Sequence, residues 1–494
     1  MSRDAYLATI RRRLADEVGR IDKHASFRVA LSYPSPYRVG MSSLGFQQIY
    51  RLVQAEPDMA ADRAFLPDDD DGARIVPLTY EHLRPISDYP VIALSVAYEL
   101  EVAGVIRLLE SAGIPALREQ RSASFPFILA GGPLTNSNPL PLSPFVDAIV
   151  MGEADTLGIE VLRVLRDAPS REHALDTLAS MPHVFVPSRH GSDMPRIAQC
   201  DDDLLPAWGP IRAPDAELSN MFLIETERGC SRGCTYCVMR RSTNGGMRIV
   251  PKDRILGLIP EDARRVGLVG AAVSDHPKIV EIVRTLVERG AGVGLSSLRP
   301  DKLTDDFVGA LRAAGYRTLT TAMDGTSERV REVLDRRARP RHLTRAAELA
   351  RKHGMARLKL YLMIGVPGET DEDVDECVAF VSELAKQAPI ALGIAPFCPK
   401  RNTPLADATF AGIHVVQARL ERLRRGLAGR ADVRSTSAKW AWAEAVLAKG
   451  GEAEGLAVLE ACHAGGTFAA YKRAFEALTP GAGKRRRLQV VAPA

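Results

Sequence analysis

The sequence predicts an α/β protein in three units. Residues 1–200 read as a Rossmann-like doubly wound sheet, 215–430 as a parallel sheet closing into part of a (β/α)6 barrel, and 431–494 as a helical extension with a basic tail. Three observations carry this. The chain has 494 residues, and at ~100–200 residues per domain that is about three domains. Short apolar runs alternate with amphipathic helical text in both of the first two regions, the pattern of parallel sheets. A cysteine-bearing loop directly follows the first strand of the second region, and α/β barrels do their chemistry at the carboxyl ends of strands.

Composition narrows the class. The chain is 46% hydrophobic and 26% charged, as soluble globular domains are, which excludes a mainly disordered or collagenous chain. No stretch approaches the ~18 uninterrupted apolar residues of a membrane span. The opening MSRDAYLATIRRRLADEVGR is charged throughout, with no apolar signal core, so a cytoplasmic protein is expected. The net charge of +4 is uneven: from Lys400 onward there are sixteen basic and eight acidic residues. Such an end is usually a solvated helix face and tail, and less often meets a phosphate-bearing partner such as a nucleic acid.

The elements follow in order. In the first region, apolar runs at 28–31, 91–96, 127–130 and 147–153 alternate with helices such as 99–111. The third run ends in Gly131-Gly132-Pro133, so the sheet reads as doubly wound with glycine-rich turns. Acidic runs at 68–71 and 201–203 look like solvated loops, the second marking a linker. In the second region, 221–226 is a short buried strand leading into the cysteine loop, and further strands are expected at 266–273, 293–298, 318–323, 358–364 and 391–397. Helices are expected at 277–289, 304–314, 327–336, 343–353, 371–386 and 413–427. Residues 435–480 are amphipathic helical text in which Trp440, Trp442, Leu447, Leu456, Leu459, Phe468, Tyr471 and Phe475 make a small core. Lys484 to Arg487 form the basic tail.

Seven cysteines are too few for a disulfide scaffold. Cys200, Cys377, Cys398 and Cys462 are scattered, but Cys230, Cys234 and Cys237 form a C-x3-C-x2-C run. Structural zinc wants four protein ligands, and no fourth Cys or His lies near. Ferredoxin clusters also use four cysteines. Three thiolates on one loop suit a four-iron four-sulfur (4Fe-4S) cluster that leaves its last iron to a substrate or cofactor.

The run Cys230-Ser-Arg-Gly-Cys234-Thr-Tyr236-Cys237 resembles the signature of radical S-adenosylmethionine (radical SAM) enzymes. The resemblance implies a TIM-like partial barrel, SAM on the open iron, an external low-potential electron donor, and a 5′-deoxyadenosyl radical. It also suggests roles for residues at later strand ends. Gly270-Ala271-Ala272 stands where the family often has Gly-Gly-Glu, with Ser274 and Asp275 just after. Ser296, Ser297 and Arg299 close the third strand, and Arg299 is positioned by resemblance to meet the SAM carboxylate. Asp324 matches the place of a glutamate in an APE-x-GSER segment. Ile364, Gly365, Pro367, Gly368 and Glu369 resemble an IGLPGET turn near adenine, and APFCPKRNTPL resembles the segment that ends such barrels. Taken singly these are weak: a lone Asp at a strand end is usually a helix cap, and a lone Arg a surface charge. Their order behind the cysteine triplet lifts them.

Residues 1–200 resemble the cobalamin-binding-like domain that precedes the barrel in one large radical SAM group. Ser95 and Gly131-Gly132 stand at its second and third loop motifs. The first loop departs, with Pro34-Ser35-Pro36-Tyr37-Arg38-Val39-Gly40 and no His where cobalt-ligating families have D-x-H-x-x-G. Two readings stay open: cobalamin bound without a protein ligand, or a domain that has lost the cofactor and reads substrate. Methylthiotransferases resemble this layout but carry three more cysteines in their N-terminal domain, and 1–199 has none, which argues against sulfur insertion. The expected function is a radical SAM enzyme, with methyl transfer if cobalamin binds. The rivals are a tRNA- or nucleic-acid-modifying radical SAM enzyme and a non-catalytic iron–sulfur or zinc protein. His276 lies near the inferred site, though a core or surface role is commoner for such a histidine. Cys377 falls on a helix. Cys398 ends the last barrel strand, where packing is the usual role.

Overall fold

A computed structural model describes residues 2–68, 75–239, 246–296 and 298–478. Asp69 to Asp71, Ser297 and Lys484 to Arg487, named above, lie outside the described residues. The first sheet is built from β1 (Phe27–Pro36), β2 (Met59–Leu66), β3 (Val91–Ser95), β4 (Phe127–Gly131), β5 (Ala148–Val150) and β6 (Val184–Phe185). Its order is β2-β1-β3-β4-β5-β6, parallel except for the last pair. The chain reverses direction of growth between β1 and β3, and ligands of doubly wound sheets sit at such switch points, off the carboxyl ends of strands. Alternation divides the strands between two cores. Ile92, Leu94, Ile128 and Ile149 face one cluster, and Val91, Ala93, Phe127, Leu129 and Val150 the other.

Four of these strands match the apolar runs, but β2 was not expected. Its segment, MAADRAFL, carries Asp62-Arg63 at its centre, yet every residue is buried. Burial of charge requires partners, and they come from elsewhere in the chain. Asp62 accepts from Arg28 at 2.6 Å and pairs with His82 at 2.8 Å. Arg63 reaches Glu17 at 2.7 Å and Glu81 at 2.6 Å.

The second region contributes β7 (Phe222–Glu225), the hairpin β8 (Glu227–Gly229) with β9 (Met247–Ile249), then β10 (Arg265–Val269), β11 (Gly292–Leu295), β12 (Thr318–Asp324), β13 (Arg357–Ile364), β14 (Ile390–Pro396) and β15 (Ala431–Ser435). Two parallel sheets result, ordered β11-β10-β7 and β12-β13-β14-β15. A parallel bridge between Leu298 and Thr321 joins them, so the strands run in one direction along a continuous curve. Their outward faces share one core with the flanking helices.

The C-terminal stretch corrects the expectation of a wholly helical extension from 431. Residues 431–435 form β15, a seventh parallel strand beside β14. Its text, ADVRS, has no apolar run, because Asp432 and Arg434 point to solvent. The helices Ala438–Lys449, Glu452–His463 and Phe468–Ala477 follow. They return to the first sheet: Leu447, Val458, Tyr471 and Phe475 share a core with Val105 and Leu109 of the helix Val102–Ser111. Asn138 Nδ2 donates to the carbonyls of Leu447 at 3.0 Å and Gly450 at 2.7 Å. Gly455 permits the approach, since a Cβ there would stand 2.1 Å from the Pro141 carbonyl oxygen. Among the described residues no helix is long and apolar enough to cross a membrane.

Candidate functional site

The cysteine loop leaves the carboxyl end of β7 and is fastened before it turns. Arg228, two residues ahead of Cys230, contacts Glu225 at 2.8 Å, Asp155 at 2.8 Å and Glu153 at 3.2 Å. It thereby ties β7 to the first sheet. Glu153, Asp155 and Cys200 bring their donor atoms within 4.8 Å of one another. Arg228 already supplies the cation there, its Nη1 lying 3.1 Å from Cys200 Sγ, and Arg248 also pairs with Glu153. The group is an ion-pair network joining two parts of the chain. Burial pushes the Cys200 thiol up to about 12, which keeps it protonated.

Beyond Arg228 the loop is held from three sides. The Cys237 N–H donates to the Cys234 carbonyl at 3.2 Å, making a turn. Thr235 donates to the carbonyls of Leu334 and Val333, and accepts from the Leu405 N–H at 3.1 Å. Ser231 Oγ donates to Asp275 at 3.2 Å, and Arg232 pairs with Asp301 at 2.7 Å. Cys234 is buried, while Cys230 and Cys237 are half-buried. Burial, first, pushes the Cys234 and Cys237 thiols up, and their neighbouring sulfurs act in the same direction. Cys230 thus lies within electrostatic reach of Cys234 and Cys237, and Cys234 of Cys237.

The other expected residues are distributed around this loop. Tyr236 packs on Val330, Leu334, Val366 and Phe397 and lies beside Asp324, whose charge, after burial, pushes its phenol up. Asp324 takes a left-handed φ of 64° where β12 slips register against β13, and this turns its buried carboxylate onto Arg336. Arg336 Nη1 reaches Cys234 Sγ at 3.9 Å. Asp324 is thus tied to Arg336, next to Tyr236 and the cysteines. Arg299 is committed to Asp275 and Asp301, so its guanidinium braces the carboxylates that hold Ser231 and Arg232. Ser296 Oγ donates to the Gly270 carbonyl at 3.0 Å, and Ala271 is exposed beside it. Ile364 is wholly buried among the outer helices. Gly365 takes φ 79° and its N–H donates to Glu369 at 2.6 Å, and Glu369 in turn accepts from Thr326 and Arg419. His276 is a satisfied core residue, with one ring nitrogen on the Val250 carbonyl at 2.8 Å and the other on the Lys278 N–H at 3.1 Å.

Sequence reasoning missed Glu227. Its side chain is fully buried, accepts from the Ala272 N–H at 2.8 Å and from Thr226, and lies against Gly270, where a Cβ would stand 1.9 Å from its oxygen. A carboxylate thus stands beside 270–272 after all, delivered from the neighbouring strand. Burial pushes it up to about 7. The signal was present as a glutamate one residue from an apolar strand end, but only strand pairing shows which neighbour it meets.

A cavity of about 420 Å³ opens beside the loop. Tyr236 and Met363 line its cysteine side, Cys398 the end of β14, Trp440 the C-terminal helix, and Tyr98 and Leu100 the segment after β3. It therefore joins the carboxyl edges of both sheets. Cys398 Sγ donates to the Ala441 carbonyl at 3.2 Å. Two other depressions, of about 500 and 480 Å³, lie between outer helices and contain none of the cysteines.

Comparison with known proteins agrees with this geometry. Residues 45–187 match the family described as radical SAM proteins, N-terminal, and residues 224–381 the radical SAM superfamily. The chain belongs to the radical SAM superfamily. It is 27% identical over 381 residues to an uncharacterised protein of Methanocaldococcus jannaschii, covering 76% of this chain and 78% of that protein. It is 24% identical to a 2-(S-pantetheinyl)-carbapenam-3-carboxylate methyltransferase of Streptantibioticus cattleyicolor, covering 59% of this chain and 46% of the relative. Its fold is similar to that of the cobalamin-dependent S-adenosylmethionine radical enzyme OxsB with aqua-cobalamin bound, with a TM-score of 0.51 at 11% identity, over 74% of this chain and 53% of that one. At that identity the likeness concerns the fold alone.

Proposed function

We propose that this chain is a SAM-cleaving enzyme in which Cys230, Cys234 and Cys237 hold a 4Fe-4S cluster. The observation that supports this is the placing of a C-x3-C-x2-C loop at the carboxyl end of β7, clamped on three sides and opening beside a cavity. In this reading the first sheet is a Rossmann-like domain over roughly 1–200, the strands from β7 onward are an open TIM-like barrel over 215–430, and the rest is an extension docked on both. When bound, the cluster and SAM supply a 5′-deoxyadenosyl radical, with an electron from an external low-potential donor.

The chain's own residues position and shield. Arg228 fixes the start of the loop, and Asp275 and Asp301, braced by Arg299, fix Ser231 and Arg232. Gly270, Ala271 and Ser296 lie at the strand ends where backbone can approach a ligand closely, and Glu227 sets a carboxylate behind them. Tyr236, beside Asp324, closes the wall between the cysteines and the cavity. Ile364 and Gly365 shape the end of β13.

A second reading, cobalamin-dependent methyl transfer, is supported by the likeness to OxsB and by the switch point between β1 and β3, off which Tyr98 and Leu100 face the cavity. The first loop does not supply a cobalt ligand. It has no imidazole, Ser35 Oγ is bonded to Glu101 at 3.2 Å, and the Pro34 carbonyl is closed against Gly104. Cobalamin in this chain would be held without a ligand from this loop. The deciding experiment is anaerobic reconstitution with iron and sulfide, reduction with dithionite, and detection of 5′-deoxyadenosine from SAM. Cleavage that disappears when the three cysteines are changed to alanine is expected. A chain that binds no iron, or cleaves equally well without the cysteines, refutes the proposal.

A further inference from the structure

The cavity carries a charge pattern of its own. Lys400 Nζ lies 2.7 Å from Glu99 and 2.7 Å from Glu444. Glu99 is almost wholly buried and its second oxygen accepts from Ser137 Oγ at 3.0 Å, so both of its oxygens are engaged. Glu444 meets Lys400 through Oε1 and keeps its side chain 27% exposed on the cavity wall. Two carboxylates sharing one ammonium leave a net negative charge there. Glu101 lies beneath the same segment, its carboxyl pushed up by burial and accepting from the Ala97 N–H at 2.6 Å. Aromatic rings from three parts of the chain complete the wall: Tyr98 after β3, Tyr236 in the cysteine loop and Trp440 on the helix that carries Glu444.

The cations near the wall are committed, Lys400 to Glu99 and Glu444, and Arg336, beside Tyr236, to Asp324. Lys359 shares the face of β13 that bears Met363, but four residues earlier, roughly 13 Å along the strand, where it lies over the ring of Tyr361 at 4.7 Å. Lys400 is already shared by two carboxylates, so an anionic ligand would meet the charge of Glu444 without an uncommitted cation to receive it. A cation gains on both counts. It finds an accessible carboxylate and the negative faces of aromatic rings.

We propose that the cavity binds an organic cation: a substrate with a protonated amine, its charge on Glu444 and its apolar body between Tyr98, Trp440 and Tyr236. This rests on the reading that the cavity beside the cysteines is where the SAM-derived chemistry meets its substrate. The ligand class itself follows from the wall, and it is tested without turnover.

The test is calorimetric titration of the full chain, carrying its reconstituted cluster, with phenethylamine and with 3-phenylpropionate. At pH 7.5 the two are of similar size and opposite charge. Phenethylamine is expected to bind at least about tenfold more tightly. Glu444→Gln leaves the Lys400–Glu99 pair in place and is expected to weaken phenethylamine at least about tenfold while leaving phenylpropionate no weaker. Tyr98→Leu, on an exposed side chain, is expected to cost phenethylamine about two- to fivefold. Circular dichroism of each variant checks that it is folded. Equal binding of the two probes, a preference for the carboxylate, or an unchanged phenethylamine affinity in Glu444→Gln overturns the proposal. SAM cleavage by the same preparation separates the two readings. No amine preference in a chain that cleaves SAM defeats the substrate class alone, and an amine preference in a chain that does not cleave SAM upholds the class and defeats the activity.

Discussion

Glu227→Gln should change how stability depends on pH. Glu227 is fully buried, three residues before the first cysteine, and burial is the largest cause raising it from 4.5 to about 7. Hydrogen bonds from Thr226 and Ala272 hold it down in part, and the charges of Glu225 and Asp275 push it further up. At about 1.36 kcal/mol per pH unit, the difference corresponds to about 3 kcal/mol. The sign follows from proton binding. Between pH 4.5 and 7 the folded chain holds a proton on Glu227 that the unfolded chain releases, so this stabilising contribution is complete below pH 4.5 and is lost as pH rises through 7. Glutamine is nearly the same shape, still accepts from the Ala272 N–H, and does not titrate. Urea unfolding of both proteins at pH 5 and pH 8 measures the effect. The variant should gain about 3 kcal/mol relative to the parent on going from pH 5 to pH 8. Parallel pH profiles for the two proteins would refute the assignment of a buried, protonatable Glu227.

Three further outcomes are expected. Cys234→Ser should lower bound iron to the level of an unreconstituted chain and abolish SAM cleavage, read by iron analysis and chromatography; full iron content would remove Cys234 from the ligand set. Arg228→Met leaves Asp155 and Glu225 without their cation while Glu153 keeps Arg248, and breaking a buried pair in this way costs about 3–5 kcal/mol; a denaturation midpoint equal to the parent's would show that the network contributes little. Asn138→Ala removes the donor from the buried Leu447 carbonyl and the half-buried Gly450 carbonyl, at a cost of about 1–3 kcal/mol. Hydrogen exchange over residues 438–477 should then quicken, and unchanged exchange there would mean that apolar packing alone docks the helices.

The elements that could be read directly were those whose pattern is local. The runs that became β1, β3, β4 and β5 are apolar over several consecutive residues because both faces of a parallel strand are buried, and that pattern survives without knowledge of neighbours. β2 and β15 were not legible for opposite reasons. β2 is buried but carries Asp62-Arg63, whose burial depends on Glu17, Arg28, Glu81 and His82, all distant in the chain. β15 is polar because it lies at a sheet edge, with alternate residues in water. The C-terminal helices were legible as helices, but the core they complete belongs to the first sheet, and nothing in their periodicity names that partner.

The same division runs through the site. The spacing of Cys230, Cys234 and Cys237 by itself determined the chemistry to look for, because three thiolates within eight residues must lie on one loop wherever it is placed. Tertiary structure alone decided the rest. It set Glu227 against Gly270 by strand pairing, spent Arg299 on Asp275 and Asp301, turned Asp324 onto Arg336, and gathered Glu99, Lys400 and Glu444 around one cavity. The physical reason is range. A ligand loop is specified by neighbours in sequence, whereas the charge and shape of the space it faces are summed over side chains from every strand end that converges there.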